Sequence, residues 1–455
     1  MQIHRYRLNG YNIILDVSSG GVHVADELTY ELTGMLIPPL EKECPRNISD
    51  ALSEKYSRDD IKSSYSEIYG LYESGMLFSS DDYGKYGHLM SESPVKAMCI
   101  NIAHDCNLRC EYCFAAKGDF GHGRELMPLN VGIKAIDFLL EHSKNRRNLE
   151  VDFFGGEPLM NFPVVKEIVE YARSKEAEYG KNFRFTLTTN GLLLNDEIIE
   201  YINREMSNIV LSLDGRKEVN DRLRLTPGGK GSYDIIVPKY QKLVSGRGDK
   251  DYYVRGTFTK HNLDFTDDVL HINGLGFDQV SVEPVVSDKT LDYAIDERDL
   301  PEIFDEYERL SKALIKRKRE GKGFNFFHFM IDLDRGPCAI KRLRGCGAGN
   351  EYIAVTPDGS IYPCHQFVGM DGWRMGSVLD NTLNSDMKRK FAASNVFNKE
   401  ECKGCWARFY CSGGCNANNH QYEGDVQKPH ALSCELQKKR LECAIMMKAD
   451  EMNSK

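Results

Sequence analysis

The sequence predicts an α/β fold: a partial (β/α)6 barrel of the TIM type over residues 95–320, preceded by a winged-helix-like module at 1–88 and followed by a cysteine-rich extension at 331–455. Between residues 95 and 320, short β-branched apolar runs alternate with helical-period segments, the pattern of a parallel sheet covered by helices. The first ninety residues instead carry a hairpin and three helical segments. Cysteines are absent from Lys117 to Pro337 and crowd both flanks.

In the first module, the strand candidates Tyr11–Val17 and Val22–Val24 flank the turn Ser18-Ser19-Gly20-Gly21. Helices are expected at Glu27–Ile37, Ser49–Tyr56 and Ser57 to about Ser74, the last with Ile61, Tyr65, Ile68, Tyr69 and Tyr72 on one face. Ser57 and Asp60 form a capping-type start, and Gly75 is a stop signal. The tyrosine stripe reads as core. Such a plan suits DNA or an extended peptide. Eight Lys and Arg against fourteen Asp and Glu in residues 1–90 are the wrong balance for a phosphate backbone. Strand addition by a peptide at the hairpin edge is the better expectation. Gly84 and Gly87 mark a linker into the barrel.

Six barrel strands are expected at Val95–Ala103, Leu149–Phe154, Phe183–Thr189, Ile209–Leu213, Tyr252–Thr259 and Gln279–Val286. Helices fall between them at Pro128–Lys144, Pro163–Tyr179 and Asp196–Met206. Barrel chemistry sits on the loops after the strands, and the polar motifs obey that rule. The first strand leads into Cys106-x3-Cys110-x-Tyr112-Cys113, the second into Gly155-Gly156-Glu157-Pro158. The third ends in Thr188-Thr189-Asn190-Gly191 and the fourth in Ser212-Leu213-Asp214-Gly215. Thr188 and Thr189 read as simple caps. Ser212 and Asp214 read as groups suited to ribose hydroxyls.

Three thiolates on one loop can hold a [4Fe–4S] cluster and leave one iron open for chemistry. A three-Cys zinc site completed by His104 is the rival reading. The CxxxCxYC pattern resembles the signature of the radical S-adenosylmethionine (SAM) enzymes. That resemblance implies that Cys106, Cys110 and Cys113 hold the catalytic cluster and that Tyr112 lies beside the adenine of SAM. It assigns Gly155, Gly156 and Glu157 to the methionine amine, Ser212 and Asp214 to SAM, and Arg224 to its carboxylate.

The C-terminal spacing reads Cys338, Cys346, Gly359-x4-Cys364, Cys402-x2-Cys405-x5-Cys411-x3-Cys415 and Cys434. It resembles the SPASM extension of peptide-modifying radical SAM enzymes, which implies two auxiliary [4Fe–4S] clusters and three in all. By position, Cys402, Cys405, Cys411 and Cys434 would ligate the outer one, and Cys346, Cys364 and Cys415 the inner one. Cys338 is the candidate fourth inner ligand; without it an iron stays open to a substrate thiolate. A zinc ribbon is the alternative. Sulfatase-maturing relatives carry aspartate after the cysteine matching Cys364, where this chain has His365, a residue expected to hydrogen-bond near the cluster.

Fourteen cysteines in a chain with no signal pattern and no apolar run near the ~18 residues a bilayer requires point to a cytoplasmic metal protein, not a disulfide or membrane one. A net charge of −9 disfavours nucleic acid as partner. The combined resemblance is to thioether (sactionine)-forming maturases of small Cys-rich SCIFF peptides. It implies a Cys-rich precursor peptide docked by its leader on the N-terminal module, an electron donor such as flavodoxin or ferredoxin, and a 5′-deoxyadenosyl radical that takes a Cα hydrogen before a C–S bond forms. The competing functions are C–C crosslinking, formylglycine formation, and a non-catalytic Fe–S or zinc scaffold.

Overall fold

The computed structural model describes residues 2–84, 93–121, 123–333 and 339–453. Cys338 and the expected linker from Lys85 to Gly87 lie outside them.

The N-terminal module is a three-stranded antiparallel sheet, β1 (Ile3–Leu8), β2 (Tyr11–Asp16) and β3 (Val22–Ala25), under three helices, α1 (Glu27–Met35), α2 (Arg46–Leu52) and α3 (Arg58–Glu73). Strand β1 was not expected. Its Arg5 and Arg7 break the apolar run, yet Tyr6 and Leu8 on the other face are buried. Ser57 caps α3 by accepting from the Asp60 amide, and Ile61, Tyr65 and Ile68 form the module's core with Leu28, Leu32 and Ile48. Strand order β1-β2-β3 leaves one edge of β3 unpaired among the described residues.

The barrel follows as β4 (Ala97–His104), β5 (Glu125–Leu126), α4 (Leu129–His142), β6 (Asn148–Gly155), α5 (Phe162–Tyr179), β7 (Asn182–Thr189), α6 (Asp196–Glu205), β8 (Asn208–Ser212), α7 (Lys217–Leu223), α8 (Tyr233–Ser245), β9 (Asp251–Phe258), α9 (Phe265–Gly274), β10 (Gln279–Pro284) and α10 (Leu300–Arg319). Strands β4, β6, β7, β8, β9 and β10 pair in parallel in that spatial order. Each expected strand is present within two residues of its expected ends. On each strand one face is fully buried, as with Val254 and Phe258 on β9 and Val280 and Val282 on β10. The alternate face, with Arg255 and Glu283, lines the barrel lumen.

The extension continues the barrel's own sheet. After β11 (Asn325–Phe326) and α11 (Ala339–Arg344), β12 (Tyr352–Val355) pairs in parallel with β4 from Tyr352↔Ala97 to Val355↔Ile100. Then β13 (Ser360–Tyr362), β14 (Gly376–Ser377) and β15 (Thr382–Leu383) extend it antiparallel. Short helices α12 (Ser385–Ala392), α13 (Glu400–Lys403), α14 (Arg408–Cys411) and α15 (Asn416–Glu423) follow; Cys402 lies in α13, Cys411 ends α14 and Cys415 precedes α15. The last helix, α16 (Ala431–Asn453), ties the three regions together. Its Arg440 donates to Tyr307 of α10 at 2.7 Å, and its Asp450 accepts from Tyr11 of β2 at 2.8 Å. No helix among the described residues is long and apolar enough to cross a membrane.

Candidate functional site

The cysteine loop leaves the C-terminal end of β4 and is pinned from two sides. Arg109 N–H donates to Leu225 O at 2.7 Å and Glu111 N–H to Leu223 O at 3.0 Å, joining the loop to the end of α7. On the other side, Gly156 N–H donates to Ala103 O at 2.7 Å and Glu157 N–H to Asp105 O at 2.8 Å. The chain then turns through left-handed conformations at Ala116, Lys117 and Gly118. A Cβ on Gly118 would lie 2.5 Å from the Cys106 Cβ. This winding brings Cys106, Cys110 and Cys113 within mutual electrostatic reach. Burial first, then the Glu157 carboxylate and the other two cysteines, pushes Cys106 up to about 12, and burial pushes Cys110 to about 11. Thiols crowded this way ionise together only with a cationic partner, which suits an iron–sulfur cluster. Two donors face the Cys106 sulfur, Leu108 N–H at 3.4 Å and the Asn190 amide at 3.6 Å.

The Gly155-Gly156 pair lets the tip of β6 lie tight against the chain beside it. A Cβ on Gly156 would sit 2.1 Å from Asp105 O and 2.8 Å from Gly118 O, both backbone atoms of the cysteine loop. Glu157, 1% exposed, accepts from Leu159 N–H (3.1 Å), Thr189 Oγ1 (2.7 Å) and Asn190 N–H (2.7 Å). A carboxylate has about four acceptor positions, so one remains for an outside donor. Burial, partly offset by those bonds, raises Glu157 to about 7. Thr189 is therefore no cap: α6 is capped by Asn195, and Thr189 bridges β7 to Glu157.

Tyr112, Asp214 and Arg224 meet directly. The Tyr112 hydroxyl donates to Asp214 at 2.7 Å and accepts from Arg224 Nη1 at 2.9 Å. Asp214 also accepts from Thr257 N–H at 3.0 Å. Arg224 is 6% exposed, and its Nε is a buried donor without a partner. Such an orphan suits a carboxylate brought in by a ligand. Ser212 lies half-buried on the lumen face at the end of β8.

Among the C-terminal cysteines, two groups form. Cys364 is buried and pushed up to about 12 by burial and then by Cys415 and Cys346. Burial, then Cys411, Cys402 and Cys405, likewise pushes Cys434 to about 12. Cys364 thus has Cys346 and Cys415 as neighbours, and Cys434 has Cys402, Cys405 and Cys411. Among the described residues, no three His, Cys, Asp or Glu side chains converge closely enough to hold a single metal ion.

His365 reaches from the inner group into the barrel mouth. Its ring centroid lies 5.4 Å from that of Phe114, beside Cys113, and 4.9 Å from that of Phe154 on β6. Burial, aided by Arg255, holds it down to about 4, so the imidazole is neutral at pH 7. The lumen also holds residues that sequence reading missed. Glu283 is flanked by His328 at 3.2 Å and by Arg440 at 3.6 Å. Burial opposes its charge, but His328, Arg440 and Arg255 prevail and hold it well below the usual carboxylate range. The available signal was a lone charge inside each of two apolar strands, Arg255 and Glu283. Asn190 stood in the polar tip Thr188-Thr189-Asn190-Gly191, but nothing there named the Cys106 sulfur as its partner.

A model of the Radical SAM superfamily matches residues 100–254, and one of SPASM, an iron–sulfur cluster-binding domain, matches residues 346–406. An uncharacterized protein of Methanocaldococcus jannaschii is 32% identical over 323 residues, covering 69% of this chain and 96% of the relative. The chain belongs to the radical SAM superfamily. A cysteine-type anaerobic sulfatase-maturating enzyme of Clostridium novyi is 24% identical over 334 residues, 69% of this chain and 86% of the relative. Among solved structures, native anSMEcpe with bound AdoMet superposes with a TM-score of 0.66 at 19% identity, covering 80% of this chain and all of that one. Streptococcus suis SuiB bound to precursor peptide SuiA gives 0.55 at 16% identity, covering 95% and 98%. At these identities the two structures establish a shared radical SAM fold, with its barrel-like parallel sheet and SPASM extension.

Proposed function

We propose that this radical SAM protein is a peptide maturase that forms an intramolecular thioether, Cys sulfur to Cα, in a ribosomally made Cys-rich precursor. The observation that carries the reading is the meeting of two cysteine systems at one lumen. His365, next to Cys364, packs against Phe114, next to Cys113. A substrate held between them lies within reach of both.

Cys106, Cys110 and Cys113 would hold the first cluster, and Arg224, Asp214, Tyr112, Ser212 and the free position on Glu157 would hold SAM. Together, cluster and SAM supply one-electron cleavage of SAM to a 5′-deoxyadenosyl radical able to remove a hydrogen atom. Cys346, Cys364 and Cys415, with Cys402, Cys405, Cys411 and Cys434, would hold two further clusters that accept the surplus electron. The protein orients: Arg224 and Tyr112 fix Asp214, while Phe114, Phe154 and His365 pack together at the lumen mouth.

The N-terminal module supports a peptide substrate. Beside the unpaired edge of β3 lies a groove of about 500 Å³, lined by Val22, Val24, Thr29, Glu67, Leu71 and Met452 among others. An extended leader adds there as a fourth strand. The likeness to the SuiB–SuiA structure agrees with this. A second reading is formylglycine formation, which the sulfatase-maturating relative favours and which His365, in place of aspartate, disfavours.

The test is anaerobic incubation of reconstituted protein with SAM, reductant and a Cys-rich peptide encoded beside its gene. Peptide mass is read before and after thiol alkylation. Thioether formation removes two hydrogens and one alkylatable thiol. A C–C crosslink removes two hydrogens and no thiol, and the proposal then fails.

A further inference from the structure

We propose that Lys399 is the shared counter-charge of the two C-terminal cysteine groups and raises the reduction potentials of the clusters they hold. The inference rests on reading those cysteines as ligands of two iron–sulfur clusters.

Lysine is almost never fully buried unless paired, and Lys399 is 1% exposed. It makes no ion pair among the described residues. Its ammonium donates to Gly413 O at 2.7 Å and to the Asn416 side-chain oxygen at 3.2 Å, two neutral acceptors. A buried charge left with neutral partners alone is costly. The groups around it that carry negative charge once they ligate clusters are Cys402, Cys411 and Cys434 of one set and Cys415 of the other. Burial pulls the ammonium below the usual lysine value, and these four cysteines act against that.

The position is built. Gly413 lies between Cys411 and Cys415 at φ +87°, and a Cβ there would be 3.3 Å from Lys399 Nζ. Lys399 therefore sits directly beneath the turn that joins the two sets. Neighbouring polar atoms are already committed. Asn416 Oδ1 also accepts from Ser394 Oγ at 2.8 Å, and Gly413 O from the Asn419 amide at 3.4 Å.

A four-iron cluster with thiolate ligands is anionic, and one-electron reduction adds a further negative charge. A fixed cation alongside favours the reduced form, and burial keeps that attraction unscreened. Net charge, hydrogen bonding and exposure are the levers on such potentials. Lys399 neither gives nor takes the electron. Because it adjoins both sets, it moves both potentials upward, toward easier acceptance of an electron.

The test is an EPR-monitored redox titration of the full-length reconstituted chain. A Cys106→Ala/Cys110→Ala/Cys113→Ala background confines iron to the C-terminal sets, and iron and sulfide are measured first. Lys399→Met and Lys399→Gln, the latter still able to donate to Gly413, should lower both midpoints by about a tenfold change in the reduction equilibrium, about 59 mV each. Lys399→Arg should leave them near the parent value. Unchanged midpoints in the neutral variants overturn the inference. If the neutral variants lose iron while Lys399→Arg keeps it, the counter-charge is needed for assembly, which supports the same role; loss in all three marks a merely structural lysine and overturns it. A parent without iron refutes the cluster reading itself.

Discussion

Replacing Gly156 with alanine tests how the first cluster site is built. The added Cβ would lie 2.1 Å from Asp105 O, whereas an unstrained contact needs about 3.5 Å. The tip of β6 or the cysteine loop must therefore retreat by about 1.4 Å. The obstacle is backbone, so no side-chain rotation relieves it. Two hydrogen bonds that hold the tip to the loop, Gly156 N–H to Ala103 O and Glu157 N–H to Asp105 O, are lost or stretched. At about 1 kcal/mol each, with about 1–3 kcal/mol for overpacking, the local cost is about 3–5 kcal/mol. That is concentrated on the loop carrying Cys106, Cys110 and Cys113. The Gly156→Ala chain should lose about a third of its iron after reconstitution, and all SAM cleavage, while the C-terminal clusters remain. Gly228→Ala is the control, since a Cβ there meets nothing within 4 Å. Full iron content and normal 5′-deoxyadenosine production by Gly156→Ala would refute the reasoning.

Asp152 is raised to about 6, by burial first and then by Glu150. An acid whose folded pKa is raised costs stability as pH climbs from its ordinary value near 4 through about 6. In the apo chain, Asp152→Asn should match the parent at pH 4 and exceed it by about 3 kcal/mol at pH 8, read by denaturant titration; equal stability at pH 8 would contradict this. Arg224→Met removes the buried donor with the orphan Nε, and SAM affinity by calorimetry should fall tenfold or more, a loss of about 1.5–3 kcal/mol. Val24→Glu adds an acid to a groove that already holds Asp26 and Glu67, at a side chain 43% exposed. It should leave folding intact and weaken leader-peptide binding about tenfold, about 1.4 kcal/mol; unchanged affinity would move the docking site elsewhere.

The barrel was legible because alternation of apolar strands and helical segments is a local signal, and all six strands fell where the pattern set them. Strand β1 escaped because Arg5 and Arg7 disguise its buried face. The pairing of β12 with β4 escaped because it joins residues some 250 apart, and nothing in Tyr352–Val355 names its partner. The site divides the same way. Cysteine spacing lies within short segments and shows in sequence. Asn190 and Lys399 take their meaning from sulfur atoms brought close by folding, and neither one's own neighbourhood names the cysteines it meets. The Gly155-Gly156 pair was noticed, but only the structure shows that Gly156 is pressed against the backbone of the cysteine loop.

The central claim, a Cα radical on a peptide closing onto sulfur, is tested most directly by isotope transfer. Peptide deuterated at Cα is incubated anaerobically with the reconstituted chain, SAM and reductant, and the 5′-deoxyadenosine is weighed by mass spectrometry. One deuterium in the nucleoside, with one fewer alkylatable thiol in the peptide, is the predicted result. Crosslinked peptide alongside unlabelled 5′-deoxyadenosine would contradict it, because the hydrogen would then have come from another position.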